Sequence, residues 1–202
     1  MTLVEEIVVK RLGRVGYTET LETMRDFTKR RDEATPDELW LLEHPPVYTL
    51  GQGAKHTAIQ NAIPLVQADR GGDITYHGPG QIVLYTLVDL GRRGIKVKPF
   101  VALLEQAVID LIDGRGERRP GAPGVYVNGA KIAALGIRVR QGRAYHGLSL
   151  NVDMDLSPFS AIDPCGYPGL AVTQMKDIGM PHDVTMVGDK LMRILARKIE
   201  HA

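Results

Sequence analysis

A lone thiol, a glycine-rich polar stretch and a lysine set among small residues are the groups in this chain equipped for chemistry. Cys165 is the single cysteine of 202 residues and lies in Asp163-Pro164-Cys165-Gly166-Tyr167-Pro168-Gly169. Two prolines and two glycines predict a turn there, which displays the thiol on a loop, where chemistry concentrates when a rigid scaffold holds it. The competing reading is an inert buried hydrophobe, the usual state of a free cysteine. A thiol attacks only as thiolate: about 3% is ionised at pH 7 with a pKa of about 8.5, and roughly 75% if a nearby ammonium brings it to about 6.5.

The second group is Arg70-Gly71-Gly72-Asp73-Ile74-Thr75-Tyr76-His77-Gly78-Pro79-Gly80-Gln81. Paired glycines let backbone approach a ligand closely and also allow the positive φ of a sharp turn, so a ligand-binding loop and a β-turn are equally open. No helix is expected after it, unlike a dinucleotide fingerprint. The third is Gly129-Ala130-Lys131-Ile132-Ala133-Ala134-Leu135-Gly136. A lysine in a strand usually marks a solvated edge. The small neighbours Ala130, Ala133, Ala134 and Gly136 point instead to something packed closely over that surface.

These groups need a scaffold. Strands are expected from Glu6 to Arg11, at Leu39 to Leu42, Val47 to Leu50 and Ile63 to Gln67, and centrally from Gln81 to Leu90, rich in β-branched and aromatic residues. Thr18 is the expected N-cap of a helix carrying Tyr17, Leu21, Met24 and Phe27. Lys98 to Asp113 is an amphipathic helix ended by Gly114. Val125 to Val127 and Lys131 to Arg140 read as a hairpin through Asn128-Gly129, and Gln141-Gly142 as a second tight turn into Ala144 to Val152. A last helix starts near Asp183 or Thr185. Helices alternating with hairpins predict an α+β (mixed α/β) fold with a mixed, partly antiparallel sheet flanked by helices. One domain over 1–202 is expected, without repeats or linkers.

Lys plus Arg total 25 and Asp plus Glu 24, a net charge of +1, so composition gives no argument for nucleic acid or a membrane surface. Any charged partner must meet a local patch: Arg138, Arg140 and Arg143, or Arg92, Arg93 and Lys96, or Arg115, Arg118 and Arg119. One cysteine suggests neither an internal disulfide nor a zinc site, no apolar run has the length of a membrane span, and the acidic N-terminus lacks a signal-peptide pattern. A reducing cytoplasm is the expected location.

The ordered motifs RGGDITYHGPGQ (Arg70 to Gln81) and KIAALGIRVRQGRAYHGLSLNVDMDLSPFSAIDPCG (Lys131 to Gly166) resemble the lipoyl(octanoyl) transferases, and the resemblance spans Leu39 to Met175. It implies a fold shared with lipoate and biotin protein ligases. It further implies that Cys165 carries an acyl group and Lys131 tunes the thiol. Substrate binding is implied for Arg70, Gly71, Gly72, Asp73, Ile74, Thr75, Tyr76 and His77, for Ala134, Leu135 and Gly136, and for Gly147, Leu148 and Ser149. The implied donor is octanoyl-acyl carrier protein. The implied acceptors are lipoyl domains of 2-oxoacid dehydrogenase complexes and the glycine cleavage H protein, with no metal or cofactor; one domain with no obvious seam makes a monomer the default expectation. Two alternatives remain at the level of sequence: an ATP-dependent lipoate- or biotin-type ligase, which would not need Cys165, and a non-catalytic acyl- or carrier-binding module.

Overall fold

In the computed structural model of the chain, residues 6–54, 59, 61–162 and 169–202 are described. Their strands are β1 (Val8–Arg14), β2 (Glu38–Glu43), β3 (Val47–Leu50), β4 (Leu65–Gln67), β5 (Ile74–His77), β6 (Gln81–Asp89), β7 (Gly124–Val127), β8 (Ala130–Arg140) and β9 (Arg143–Asn151). The helices are α1 (Tyr17–Arg30), the single turn α2 (Leu90–Arg93), α3 (Val97–Leu111) and α4 (Val184–Glu200). Six strands form one sheet in the order β1-β2-β6-β9-β8-β7, antiparallel except for the parallel β1–β2 pair. β4-β3-β5 form a second, mixed sheet. The expected mixed sheet with flanking helices is what forms.

The large sheet is covered on both faces. One face packs on α3 and α4 through Leu39, Leu84, Leu148 and Leu150 against Phe100, Leu104, Leu191 and Leu195. The other carries α1, whose Tyr17, Leu21 and Met24 meet Trp40, Leu42, Val83 and Tyr85. A third cluster, with Tyr48, Tyr76 and Phe159, joins the small sheet to the 3-10 turn Ser157–Ala161. Burial on both faces explains why β6 reads as a continuous apolar run.

Both expected tight turns have left-handed backbone at their two central residues: Asn128 (φ 49°) and Gly129 (84°), then Gln141 (51°) and Gly142 (77°). That is the turn whose twist matches a hairpin. Three expectations are corrected. The residue before the first helix is Gly16, with Thr18 inside, because burying Tyr17 and Leu21 sets where α1 begins. Ile74–His77 is a strand, hidden in sequence by its glycine-rich polar flanks; both its faces are buried, so it lacks an alternating signature. The central strand stops at Asp89, whose side chain accepts from Arg92 N–H and caps α2.

Candidate active site

Strand register makes a slot by leaving side chains out. Ala134 faces Ser149 and Gly136 faces Gly147 across β8–β9, while Ser149 faces Val83 and Gly147 faces Tyr85 across β9–β6. Directly opposed residues share a sheet face. The same face therefore carries Ala, Gly, Gly and Ser where bulky residues would fill it, and the intervening Leu135 and Leu148 side chains point to the α3–α4 side. Above this patch stands β5, with Thr75 and His77. The narrow cleft between them also borders Tyr17, Arg70, Asp73, Ile74 and His146. Glycine at 147 is a steric requirement: a Cβ there would lie 2.1 Å from the Leu84 carbonyl oxygen of the neighbouring strand.

Arg70 fixes the rim. Its buried guanidinium donates to the Thr49 carbonyl (2.6 Å), to Thr49 Oγ1 (2.8 Å) and to the Gly71 carbonyl (3.0 Å). Gly71 N–H donates to the Ile137 carbonyl at 3.0 Å, so the loop is laced to the outer edge of β8.

Three buried histidines line or back the slot as neutral rings. A carbonyl only accepts, so His44 donates Nδ1–H to Val15 O (2.7 Å) and accepts the Tyr85 hydroxyl at Nε2 (2.8 Å). Burial lowers the pKa of His44 to about 4. His77 donates Nδ1–H to Gln81 Oε1 (2.7 Å), since the Gln81 amide nitrogen is committed to Tyr76 O and Asn151 Oδ1. Its Nε2 is then the basic nitrogen, and burial, helped by His44, lowers its pKa to about 3. His146 holds the left-handed backbone (φ 60°), so it and Tyr145 both reach Asp69. Nε2–H donates to Asp69 Oδ1 (2.9 Å) and the Tyr145 hydroxyl to Oδ2 (2.6 Å). Burial lowers the His146 pKa, while these donors, outweighing desolvation, hold the Asp69 carboxyl far below its usual range. The Nδ1 of His146 and the hydroxyl of Tyr17 are buried without hydrogen-bond partners among the described residues.

Lys131 is only 3% exposed, which removes the solvated-edge reading. β7 lies outside it, and the pairing shifts by one residue: Tyr126 faces Lys131, but Val125 faces Ala133. The extra residue, Ile132, is a bulge, and a bulge re-aims its neighbours. Ile132 falls into the α3–α4 core, and Lys131 turns to the face that Ala134 occupies. Its Nζ donates to Pro123 O at 3.3 Å and stands 5.1 Å from the Tyr126 ring centre. A small cavity beside Lys131 shares Thr75, Ala134 and Ser149 with the slot. The strand's own peptide is clamped by the segment that follows Cys165 in sequence: Lys131 N–H donates to Ala171 O (2.8 Å), and Thr173 N–H to Lys131 O (2.9 Å). Cys165 itself lies outside the described residues.

Of the residues singled out in sequence, Arg70, Gly72, Asp73, Ile74, Thr75, His77, Ala134, Leu135, Gly136, Gly147, Leu148 and Ser149 border the slot. Gly71 borders an adjoining groove. Tyr76 projects from the opposite face of β5 onto Tyr48 and Phe159. Four wall residues went unread: Tyr17, Val83, Tyr85 and His146. The signal was present for Val83 and Tyr85, which alternate along β6 on the face that Gly147 and Ser149 pair with. Nothing local marks Tyr17 or His146. Two basic clusters are partly committed to structure, for Arg31, Arg92 and Arg93 all close on the buried Asp37, and Arg118 pairs with Glu105.

Residues 16–196 match the lipoyl protein ligase A/B catalytic domain, and the chain belongs to that family. Among its relatives, an octanoyltransferase of Aromatoleum aromaticum is 61% identical over 95% of this chain and 85% of its own length. One of Dechloromonas aromatica is 58% identical over 96% and 97%. The fold recurs in a lipoate-protein ligase A bound with ATP (TM-score 0.74, 17% identity, 96% of this chain and 85% of that one). It recurs also in a biotin protein ligase from Aquifex aeolicus (TM-score 0.54, 9% identity, 96% and 70%).

Proposed function

We propose that this chain is a single-domain octanoyltransferase. It moves an octanoyl group from acyl carrier protein, through a thioester on Cys165, to the target lysine of lipoyl domains. The observation that carries the reading is the junction at Lys131. Its cavity shares Thr75, Ala134 and Ser149 with the slot, and its peptide is held by Ala171 and Thr173, six and eight positions after Cys165.

The Cys165 thiolate attacks the thioester carbonyl, forming a tetrahedral oxyanion. The carrier's C–S bond breaks, and the carrier leaves as a thiolate that takes up a proton. The amine of the acceptor lysine then attacks the Cys165 thioester, an amide C–N bond forms, and Cys165 departs as thiolate while the amine sheds its proton. Thioester exchange is nearly balanced and amide formation is downhill, so ATP is not needed. Lys131 favours the thiolate as an ammonium before the first attack. The oxyanion takes donors from main-chain N–H groups and Thr75 Oγ1. The Nε2 of His77, a lone pair at low proton affinity, is a hydrogen-bond acceptor and not an acid at neutral pH. The slot holds the octanoyl chain, and the small side chains of Ala134, Gly136 and Gly147 give it room. No helix of the described residues is long and apolar enough to cross a membrane. A monomer working in the cytoplasm completes the reading.

Incubation with octanoyl-carrier protein should add one octanoyl mass, mapped to Cys165, and a lipoyl domain should then take it without ATP. A label on another residue, or strict dependence on ATP, would overturn the reading.

A further inference from the structure

A chain of buried side-chain amides joins the slot to the segment that pairs with Lys131. Thr173, eight positions after Cys165, is held at both ends: its N–H donates to Lys131 O (2.9 Å), and its carbonyl accepts from Asn151 Nδ2 (3.0 Å). Asn151 borders the cavity beside Lys131 and faces Gln81 across β6–β9. Gln81 Nε2 donates to Asn151 Oδ1 (3.0 Å) and to the Tyr76 carbonyl (3.1 Å), and Gln81 Oε1 meets His77 Nδ1 at 2.7 Å. Gln81, Asn151 and His77 are all buried, and His77 borders the slot.

Two main-chain carbonyls set the direction of every link. A carbonyl only accepts, so Thr173 O takes an amide proton from Asn151 and Tyr76 O takes one from Gln81. Each side chain must then turn its own oxygen the other way: Asn151 Oδ1 to Gln81 Nε2, and Gln81 Oε1 to His77. His77 answers with Nδ1–H, which leaves Nε2 as a lone pair. The surroundings oppose a charge on this ring. Tyr17 of α1 stacks on it at 5.9 Å, the His44 ring lies 5.8 Å away, and Arg70 and His146 lower its proton affinity through space. An imidazolium here would also set a desolvated charge against an apolar chain.

We infer that Gln81 is a positioning residue for acyl transfer. It holds His77 as the neutral Nδ1–H tautomer, so that the slot presents an uncharged wall to the acyl chain. Asn151 steadies the Gln81 amide and carries the tie on to Thr173, which fixes the Lys131 peptide. Gln81 and Asn151 do not line the slot, and both act through other residues. The inference rests on the octanoyl-transfer reading and deepens it.

The first test is ring-nitrogen NMR of the wild-type chain, with the His77 signals assigned by their loss in His77→Asn. One tautomer, protonated at Nδ1 and unchanged from pH 8 to pH 6, is expected. The Nε2–H tautomer or an imidazolium in that range overturns the proposal. Gln81→Met removes the acceptor at similar length, so its His77 should lose the single tautomer; an unchanged Nδ1–H ring there also overturns it. Gln81→Glu keeps an acceptor for Nδ1–H and adds a negative charge that raises the ring's proton affinity. Only the neutral ring suits the acyl chain. The half-saturating concentration of octanoyl-carrier protein for loading Cys165, taken relative to wild type at each pH, should therefore rise about tenfold for every pH unit below the variant's own His77 pKa, read by NMR. A purely structural role would lower stability and leave both the ring and this profile unmoved. A ring that stays neutral beside the new carboxylate, or a charged ring with unchanged half-saturation, overturns the proposal. Failure of the wild-type chain to load Cys165 from octanoyl-carrier protein would instead remove the octanoyl-transfer reading itself, with the His77 tautomer still decided by NMR.

Discussion

If the slot measures the acyl chain, trimming its wall should change which chain is preferred. Val83 is the residue to trim. It is 1% exposed, borders the slot, faces Ser149 across the sheet, and does not border the cavity beside Lys131. Val83→Ala removes two methyl groups and opens space for about two further chain carbons. A buried methylene is worth about 0.8 kcal/mol, so decanoyl gains about 1.6 kcal/mol relative to octanoyl, or roughly 15-fold in preference. The same deletion weakens the α1-side core by about 1–2.5 kcal/mol, since a cavity forms unless the slot relaxes. The assay is competition between octanoyl and decanoyl thioesters of one carrier, read by intact mass, beside a denaturant melt. A stability loss of that size with an unchanged chain-length ratio would show that Val83 packs the core without bounding the acyl group.

Two further tests probe the junction and the buried histidines. Lys131→Met keeps a long side chain at a buried position while removing the charge. The pH profile of Cys165 alkylation should shift towards that of a free thiol, with thiolate at pH 7 falling roughly 25-fold, and an unmoved profile withdraws the tuning role from Lys131. Stability should also fall in mild acid. His44 and His77 have folded pKa values lowered to about 4 and about 3 from 6.5, so the unfolded chain binds more protons below pH 6.5. Stability is then complete above pH 6.5 and is lost as pH falls towards 4, at up to about 3 kcal/mol per pH unit for the two together. Denaturant melts between pH 7 and 4.5 check this, and a flat dependence would mean the rings are solvated.

The sequence conveyed the frame where periodicity was strong. β3 spans the residues expected of it, the two left-handed turns sit at Asn128-Gly129 and Gln141-Gly142, and α3 matches its apolar stripe within two residues at each end. It conveyed the site as composition: the small residues Ala134 and Gly136, alternating on one face of β8, are the absence of side chains that the slot requires. What stayed hidden was tertiary. β5 is too short and too buried on both faces to alternate. Tyr17 lies far from the motifs in sequence and reaches the slot only because α1 crosses that face. The role of His146 depends on a left-handed φ in mid-strand, which no pattern of types announces. The buried position of Lys131 follows from a bulge, and bulges leave no mark in hydrophobic periodicity.

That bulge carries much of the argument for how one strand serves both core and chemistry. Side chains on β8 alternate with a period of two, so the residues that open the slot, Ala134 and Gly136, fix the parity of everything before them. Continued without interruption, that parity would send Lys131 into the apolar layer with Ala133 and Leu135, where an ammonium would be buried against Leu104 and Val108. It would also place Ile132 beside Thr75 and Ser149, filling the neck of the slot. Inserting one residue exchanges the two. Ile132 enters the core at 0% exposure, and the lysine comes to line the small cavity that shares Thr75, Ala134 and Ser149 with the slot, its peptide paired to the segment that follows Cys165 in sequence. The Asn-Gly turn at residues 128 and 129 sets the start of the strand and the bulge shifts its register. The pair of turn and bulge therefore decides which residue reaches that cavity. The lysine's placement depends on this backbone irregularity as much as on the residue itself.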